Sequence, residues 1–415
     1  MGFTEKLRKS AGITENVIFV FAFGFIMYQL ILSYGGRAYG SLKGHGYLAT
    51  IINPILKHQY SLSAAAVIII LNSTLFLWEI ASLMIQLVKQ EGSNAKGYDK
   101  YKLVFKKFLV SYKSPFLALL VLEFLPRLVT LNVFWLWLPH IQKMGFFTIN
   151  LEWYSWIYGY LCYEFASWVF HFTSHRVRFL WCLHAPHHAP TEINMSANWV
   201  HFFAEVYYSA FVRLVILTFL GVNPLMFIIL LAFDSAWGIF IHISERALKN
   251  GRLGILHHFI ITPSHHRVHH SKNPLYLDRN FANVLPVWDW VFGTLQPLKE
   301  DVKADYGLTR DLDVTNFSDL YFGEIYLLYR DVKNAKGIKN KLLYMIMPPG
   351  WAPAGASKTA SVLRKEFLET SPELGITSKN IFLGRIKSRL KWNKPGMKNV
   401  EISDSGMVFS VDENK

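Results

Sequence analysis

The chain has 415 residues, 52% of them hydrophobic and 16% aromatic, with 17% charged and a formal net charge of +14. Ordinary soluble chains carry about 25% charged residues, so this chain is apolar for its size. Its excess of lysine and arginine fits basic loops at an anionic membrane face. No basic helix or binding motif points to nucleic acid, and the two cysteines, Cys162 and Cys182, lack metal-type or disulfide-framework spacing.

Taken in chain order, the apolar runs predict an all-α membrane bundle of about four spans plus a helical hairpin. The runs lie at about 16–34, 63–88, 115–138 and 153–170, with the hairpin at about 206–220 and 224–241. The first has no small-residue cleavage site and reads as a retained anchor. The second carries one charge, Glu79, and the third carries Glu123 and Arg127, an i, i+4 pair. Gly221-Val222-Asn223 before Pro224 marks the hairpin turn. Between the second and third runs lies a lysine-rich loop from Lys89 to Lys113, opposed only by Glu91 and Asp99. The positive-inside rule makes this loop cytoplasmic. Lys6, Arg8 and Lys9 at the N-terminus agree with that, and the count then puts every histidine-rich segment on the cytoplasmic side of a multi-pass membrane protein. Three regions follow: 1–150, a membrane region with its basic loop; 151–300, a catalytic region; and 301–415, a cytoplasmic extension with an amphipathic stretch at about 320–329.

Of the 16 histidines, most fall between His171 and His270. Three clusters stand out: His171 with His175; His184 with His187 and His188; and His266 with His269 and His270. Spacings of i, i+3 and i+4 put side chains on one helix face, so each cluster is expected to point at a centre. Eight imidazoles are too many for one metal ion and suit two. Imidazole binds zinc, iron, copper and nickel; a dinuclear site beside lipid, without cysteine, favours oxygen chemistry over a closed structural zinc. His242 ends the hairpin facing the same side and is a candidate ninth ligand. Asp278 and Asn280 are candidate partners orienting imidazole N–H groups. His201, His257 and His258 read as packing or capping residues, Trp288 and Asp289 as an interfacial anchor, and His45, His58 and His140 as solvated loop residues. A membrane metal-binding or metal-transport protein without redox catalysis is the alternative, and would place its ligands at the membrane midplane instead of beside the spans.

At these clusters the sequence resembles the fatty acid hydroxylase / sterol desaturase superfamily. The shared features are His-x-x-x-His, His-x-x-His-His and again His-x-x-His-His, with an apolar hairpin between the last two. The segments 262–270, 278–281, 288–294, 306–309 and 348–351 are similar to its alkylglycerol monooxygenase-like branch and bacterial relatives. One position departs, since that branch carries an acid directly after the first cluster and this chain has Arg176. The resemblance implies two iron ions on the eight clustered histidines. It also implies oxygen-dependent hydroxylation or desaturation of a sterol, fatty acyl or ether-lipid chain. The sequence has no haem-binding His-Pro-Gly-Gly, dinucleotide fingerprint or iron–sulfur cysteine set. Electrons are therefore expected from an external donor, a pterin or a small redox protein, with dioxygen and a bilayer lipid as the other partners. A bacterial inner membrane or the endoplasmic reticulum is the expected location.

Overall fold

The computed structural model describes residues 72, 74–85, 140, 143–313, 316–355, 357–375, 401–403 and 406–408. Among these the architecture is helical. The first helix, α1, covers residues 74–85. It is followed by α2 (Trp153–Arg176), α3 (Arg178–His188), α4 (Glu205–Phe219) and α5 (Pro224–Ile241). The short α6 (Pro263–His269) and α7 (Val287–Phe292) come next, then α8 (Phe317–Asn334), α9 (Gly337–Ile346) and α10 (Ala360–Thr370). Residues 1–375 form one compact unit and 376–415 another. In the second, Glu401–Ser403 pairs antiparallel with Gly406–Val408, a small ribbon that the all-α expectation did not include.

The helical hairpin is present. Leu217 to Val222 turns through Gly221 at a φ of 68°, where a side chain would run into the Phe147 ring. The Ile149 N–H donates to the Gly221 carbonyl at 2.8 Å and holds that turn. Helix α2 packs along the hairpin through Tyr163, Ala166, Leu217, Met226, Phe227 and Leu230. Burial of each large apolar side chain there contributes roughly 1.5–3 kcal/mol.

Among the described residues no helix is long and apolar enough to cross a membrane, which differs from the expected spans at 153–170, 206–220 and 224–241. α4 has 15 residues, a rise of about 22 Å against a hydrocarbon core of about 30 Å. α2 ends in histidines and contains the buried Glu164, and α5 contains the buried Asp234. The runs at 16–34 and 115–138, with Glu123 and Arg127, lie outside the described residues, as does half of 63–88. Glu79 in α1 is wholly buried, and its carboxylate accepts from the Met195 N–H at 2.8 Å and the Ser244 N–H at 2.6 Å. It joins α1 to the segment after α3 and to the end of α5.

The three histidine clusters are carried by α2, α3 and α6, with His270 capping α6, and His242 directly follows α5. α2 stops where Val177 turns extended, and α3 begins at the next residue, so the first two clusters sit on consecutive helices joined by a single residue. α6 starts with Pro263 at its first turn and a reciprocal Thr262–His265 capping box. Arg267 of α6, 1% exposed, donates to the carbonyls of Ile243, Leu248 and Lys249 at 2.6–3.2 Å. This fixes α6 against the chain leaving α5, and hence the third cluster against His242. α8 covers α3 through Leu320 and Tyr321 packed on Leu183 and Ala185. It exposes Phe322, Tyr326 and Tyr329, in line with the amphipathic reading of 320–329. Asp289 is fully buried, and accepts from Trp168, Phe281, Ala282 and Thr294 at 2.6–3.0 Å. It is a core organiser, which corrects its reading as an interfacial anchor.

Candidate metal centre

The structure brings all nine candidate histidines together in two abutting groups. His171, His175, His184, His188 and His269 form one, and His187, His242, His266 and His270 the other; within each group the possible ligand atoms all lie within 4.8 Å of one another. The expectation that each cluster serves one centre is corrected. In the second cluster the i, i+4 pair His184 and His188 joins the first group, while His187 joins the second. In the third the pattern is reversed, with His266 and His270 in the second group and His269 in the first.

Hydrogen bonds at Nδ1 fix the tautomers. A backbone carbonyl only accepts, so a ring nitrogen against it carries the proton. Nδ1 of His171 donates to the Phe281 carbonyl at 2.8 Å, that of His269 to Arg279 at 2.8 Å, that of His242 to Gly238 at 2.6 Å and that of His187 to Ala197 at 3.2 Å. Their Nε2 atoms are therefore bare lone pairs aimed inward. His242 Nε2 lies 3.3 Å from His187 Nε2, 3.2 Å from His270 Nε2 and 2.8 Å from His266 Nε2. In the other group His184 and His188 Nε2 are 3.2 Å apart. His171, His175 and His269 each leave Nε2 buried without a hydrogen-bond partner.

This arrangement fits metal ions. Two imidazole nitrogens each about 2.1 Å from one ion, at an angle of about 90–110°, are about 3.0–3.4 Å apart. One bare Nε2 cannot hydrogen-bond three others at once, and the lone pairs of His187 and His242 repel unless a cation lies between them. Protonation is opposed as well. Burial, reinforced by the neighbouring imidazoles, pushes His171, His175, His187, His188, His266 and His270 well below the ordinary histidine range. Burial lowers His242 and His269 to about 3. Neutral imidazoles are the form that binds a metal.

Around the cage, Asp278 lies 3.4 Å from His175 Nδ1 and 3.5 Å from Arg176 Nη1. Burial raises its carboxyl to about 6, against the opposing pull of Arg176 and Arg279. The Asn280 side chain bonds to backbone instead. Its amide bridges the His265 and Gln296 carbonyls at 2.9 and 2.8 Å, which fixes the backbone behind α6. Both residues have positive φ, 53° and 55°. His257 stacks on His265 at 4.1 Å and bonds to Thr262, His258 packs edgewise on His257, and His140 is exposed. His45 and His58 lie outside the described residues.

Sequence reasoning missed Glu205. At the start of α4 and 2% exposed, it accepts from His184 Nδ1 at 2.6 Å and His201 Nδ1 at 2.8 Å. His201 in turn stacks flat on His187 at 4.2 Å. One carboxylate thus orients one ring in each group, directly for His184 and through His201 for His187. The only available signal was an acid opening an apolar helix, which also reads as an ordinary first-turn residue.

Two cavities reach the cage from different sides. The larger, about 530 Å³, runs between α2, α4 and α5 and meets His171, His184, His187, His242 and His266. The smaller, about 200 Å³, is walled partly by residues 307–310 and by Pro349 and Gly350, and meets His175, His188, His269 and His270. Each of the nine histidines borders one cavity and not the other.

Residues 156–294 match the family model of fatty acid hydroxylase. Among curated proteins, the chain is similar to alkylglycerol monooxygenase of Homo sapiens, 30% identical over 207 residues, covering 49% of this chain and 45% of the relative. The Xenopus tropicalis protein of the same name is 32% identical over 215 residues, 49% and 45% of the two chains. That of Danio rerio is 31% identical over 217 residues, 50% and 46%. The chain thus spans less than half the length of these relatives. No solved structure matches it.

Proposed function

From the match of residues 156–294 to the fatty acid hydroxylase model and the similarity to alkylglycerol monooxygenases, we infer that this chain is a member of the fatty acid hydroxylase superfamily, in its alkylglycerol monooxygenase-like branch, and propose that it is a membrane-bound, non-haem di-iron oxidoreductase that hydroxylates or desaturates a lipid with dioxygen. The observation that carries this reading is the convergence of bare Nε2 lone pairs in two abutting groups. His171, His175, His184, His188 and His269 would hold one iron, and His187, His242, His266 and His270 the other. When bound, the iron pair supplies the dioxygen activation and C–H oxidation that no side chain can perform.

The chain's own residues do the rest. Glu205, Asp278 and the carbonyls of Gly238, Phe281 and Arg279 hold the rings in one tautomer and orientation. The lipid occupies the larger cavity, whose far wall is Phe227 and Leu231 between α2 and α5. Burial of the cage keeps bulk water from the reacting carbon. An external donor, a pterin or a small redox protein, delivers an electron pair from the side of the smaller cavity, where His175, His188, His269 and His270 come to the surface of the cage. One outcome puts one oxygen atom into the lipid and the other into water; desaturation sends both to water.

A membrane setting is supported by apolar side chains that face outward from α2 and α4, including Trp153, Ile157, Phe211 and Phe219. The lysine-rich stretch from Lys89 to Lys113 further supports a membrane setting, and we read it as a basic face on the cytoplasmic side.

The test compares lipids from cells with and without the chain, in air and under anaerobiosis, alongside iron analysis of the purified protein. The expected result is an oxygen-dependent lipid change that His187→Ala abolishes while leaving membrane insertion intact. Iron-free protein with full activity, or turnover retained in His187→Ala, overturns the proposal.

A further inference from the structure

The larger cavity is not uniformly apolar. One to two helical turns from the cage, its wall carries a charge pair that neither the histidine cage nor the oxygen chemistry uses. Arg213 of α4 and Asp234 of α5 face each other at 3.8 Å, with side chains only 13% and 9% exposed. Both line the cavity, together with Ser167, Ser209 and Asn283. Arg213 Nε donates to Ser167 Oγ at 2.9 Å, and its Nη1 donates to Ser209. The guanidinium lies 4.8 Å above the Phe170 ring, and that ring lies 6.4–6.5 Å from the rings of His171 and His184. Asp234 accepts from Tyr163 Oη at 3.0 Å, and Asn283 donates to both its carboxylate and its backbone carbonyl.

Helix rise locates this polar ring along the cavity. Ser167 is four residues from His171, about 6 Å, and Asp234 is eight residues from His242, about 12 Å. A lipid lying in the cavity therefore passes from the ring to the cage, with one end among charges and another part of it beside the histidines.

We propose that the Arg213–Asp234 ring is the headgroup subsite of this cavity and that it selects a lipid bearing a neutral hydroxyl group, held so that a carbon further along the molecule faces the histidine cage. The proposal deepens the lipid-oxidation reading and depends on it only for the identity of the cavity as the lipid site. Charge decides the class. The pair is neutral as a unit, so a carboxylate or phosphate entering it meets Asp234 and a quaternary ammonium meets Arg213. A hydroxyl group matches both partners at once, as it accepts from the guanidinium and donates to the carboxylate. A carboxylate has room for about four hydrogen bonds, and Tyr163 and Asn283 leave part of that capacity available. A charge pair that only fastened α4 to α5 would make no distinction among headgroups.

The experiment measures binding without turnover. The full chain, in lipid nanodiscs without oxygen, is equilibrated with tritiated hexadecan-1-ol. Unlabelled hexadecan-1-ol, 1-methoxyhexadecane and palmitate then compete for the site, with empty nanodiscs as background. These probes share a chain length and differ in the donor or the charge of the headgroup. The alcohol is expected to bind about tenfold more tightly than either competitor, the size of one lost hydrogen bond in a buried site. The double variant Arg213→Met, Asp234→Leu removes both charges together and avoids stranding one. It is expected to bring the alcohol to within about twofold of the ether. Equal binding of the three probes by the native chain overturns the proposal, whether or not the variant folds, and so does a preference that survives in a folded variant. Oxygen uptake is scored separately: an alcohol preference without oxygen consumption keeps the subsite and removes the oxidase reading.

Discussion

His187 and His188 are adjacent in the chain, yet their imidazole planes stand at 90° with centroids 5.5 Å apart, and they belong to different halves of the cage. His269 and His270 repeat the relationship at 90° and 5.4 Å. On a helix, neighbouring residues are rotated by about 100°, whereas residues four apart differ by only about 40°. Each His-x-x-His-His cluster therefore has one pair facing one way and a third ring facing another. α3 and α6 use this reciprocally, each giving two imidazoles to one group and one to the other. The two halves are consequently held by shared helices, and displacing either helix disturbs both.

Glu205 anchors one ring in each half. Glu205→Gln keeps its shape but weakens its hold on His184 and His201. Metal affinity is expected to fall roughly 10–100-fold, measured by titrating iron(II) into chelator-treated protein under anaerobic conditions. An unchanged affinity would mean that the carboxylate does not orient the cage.

Asp289 acts on the cage through the backbone. It holds the Phe281 and Ala282 N–H groups at 2.9 and 2.8 Å, and the Phe281 carbonyl receives the proton of His171. Asp289→Ala strands four buried donors, with an expected cost of about 3–5 kcal/mol. A fall of several degrees in the thermal unfolding midpoint would show this, together with reduced metal content; a midpoint at the native value would refute it.

Acid should destabilise the metal-free chain. Burial holds His242 and His269 at about 3 in the folded state, against about 6.5 when unfolded. Between those values the unfolded chain binds more protons, so stability is complete above about pH 6.5 and is lost as pH falls toward about 3. Unfolding midpoints of chelator-stripped protein, taken from about pH 7.5 down to about 5.5, should decline steadily. A flat or rising series would contradict the neutral, buried cage.

The candidate ligands were legible in the sequence because imidazole spacing on a helix is a local property. Their division between two groups was not, since it depends on how α3 and α6 face each other, which Arg267 and its three carbonyl partners help to set. His242 was legible from its place at the end of the hairpin. Glu205 was not, because an acid opening an apolar run looks the same whether it meets water or a buried imidazole; Glu79 stood out as the one charge of its run, but its backbone partners at Met195 and Ser244 did not. Asp278 does reach an imidazole, whereas Asn280 acts on backbone; their adjacency in sequence hid that difference. Apolar runs gave the α2 and α4–α5 helices, but among the described residues none is long and apolar enough to cross a membrane, since α4 is short and α2 and α5 carry the buried acids Glu164 and Asp234.

The most direct test of the two-group cage is the iron content of purified, reconstituted protein, compared among the native chain, His242→Ala and His175→Ala. The native chain should hold about two irons and each variant about one, since each substitution opens a different group. A native chain that holds one iron or none, or variants that keep the native content, would contradict the account.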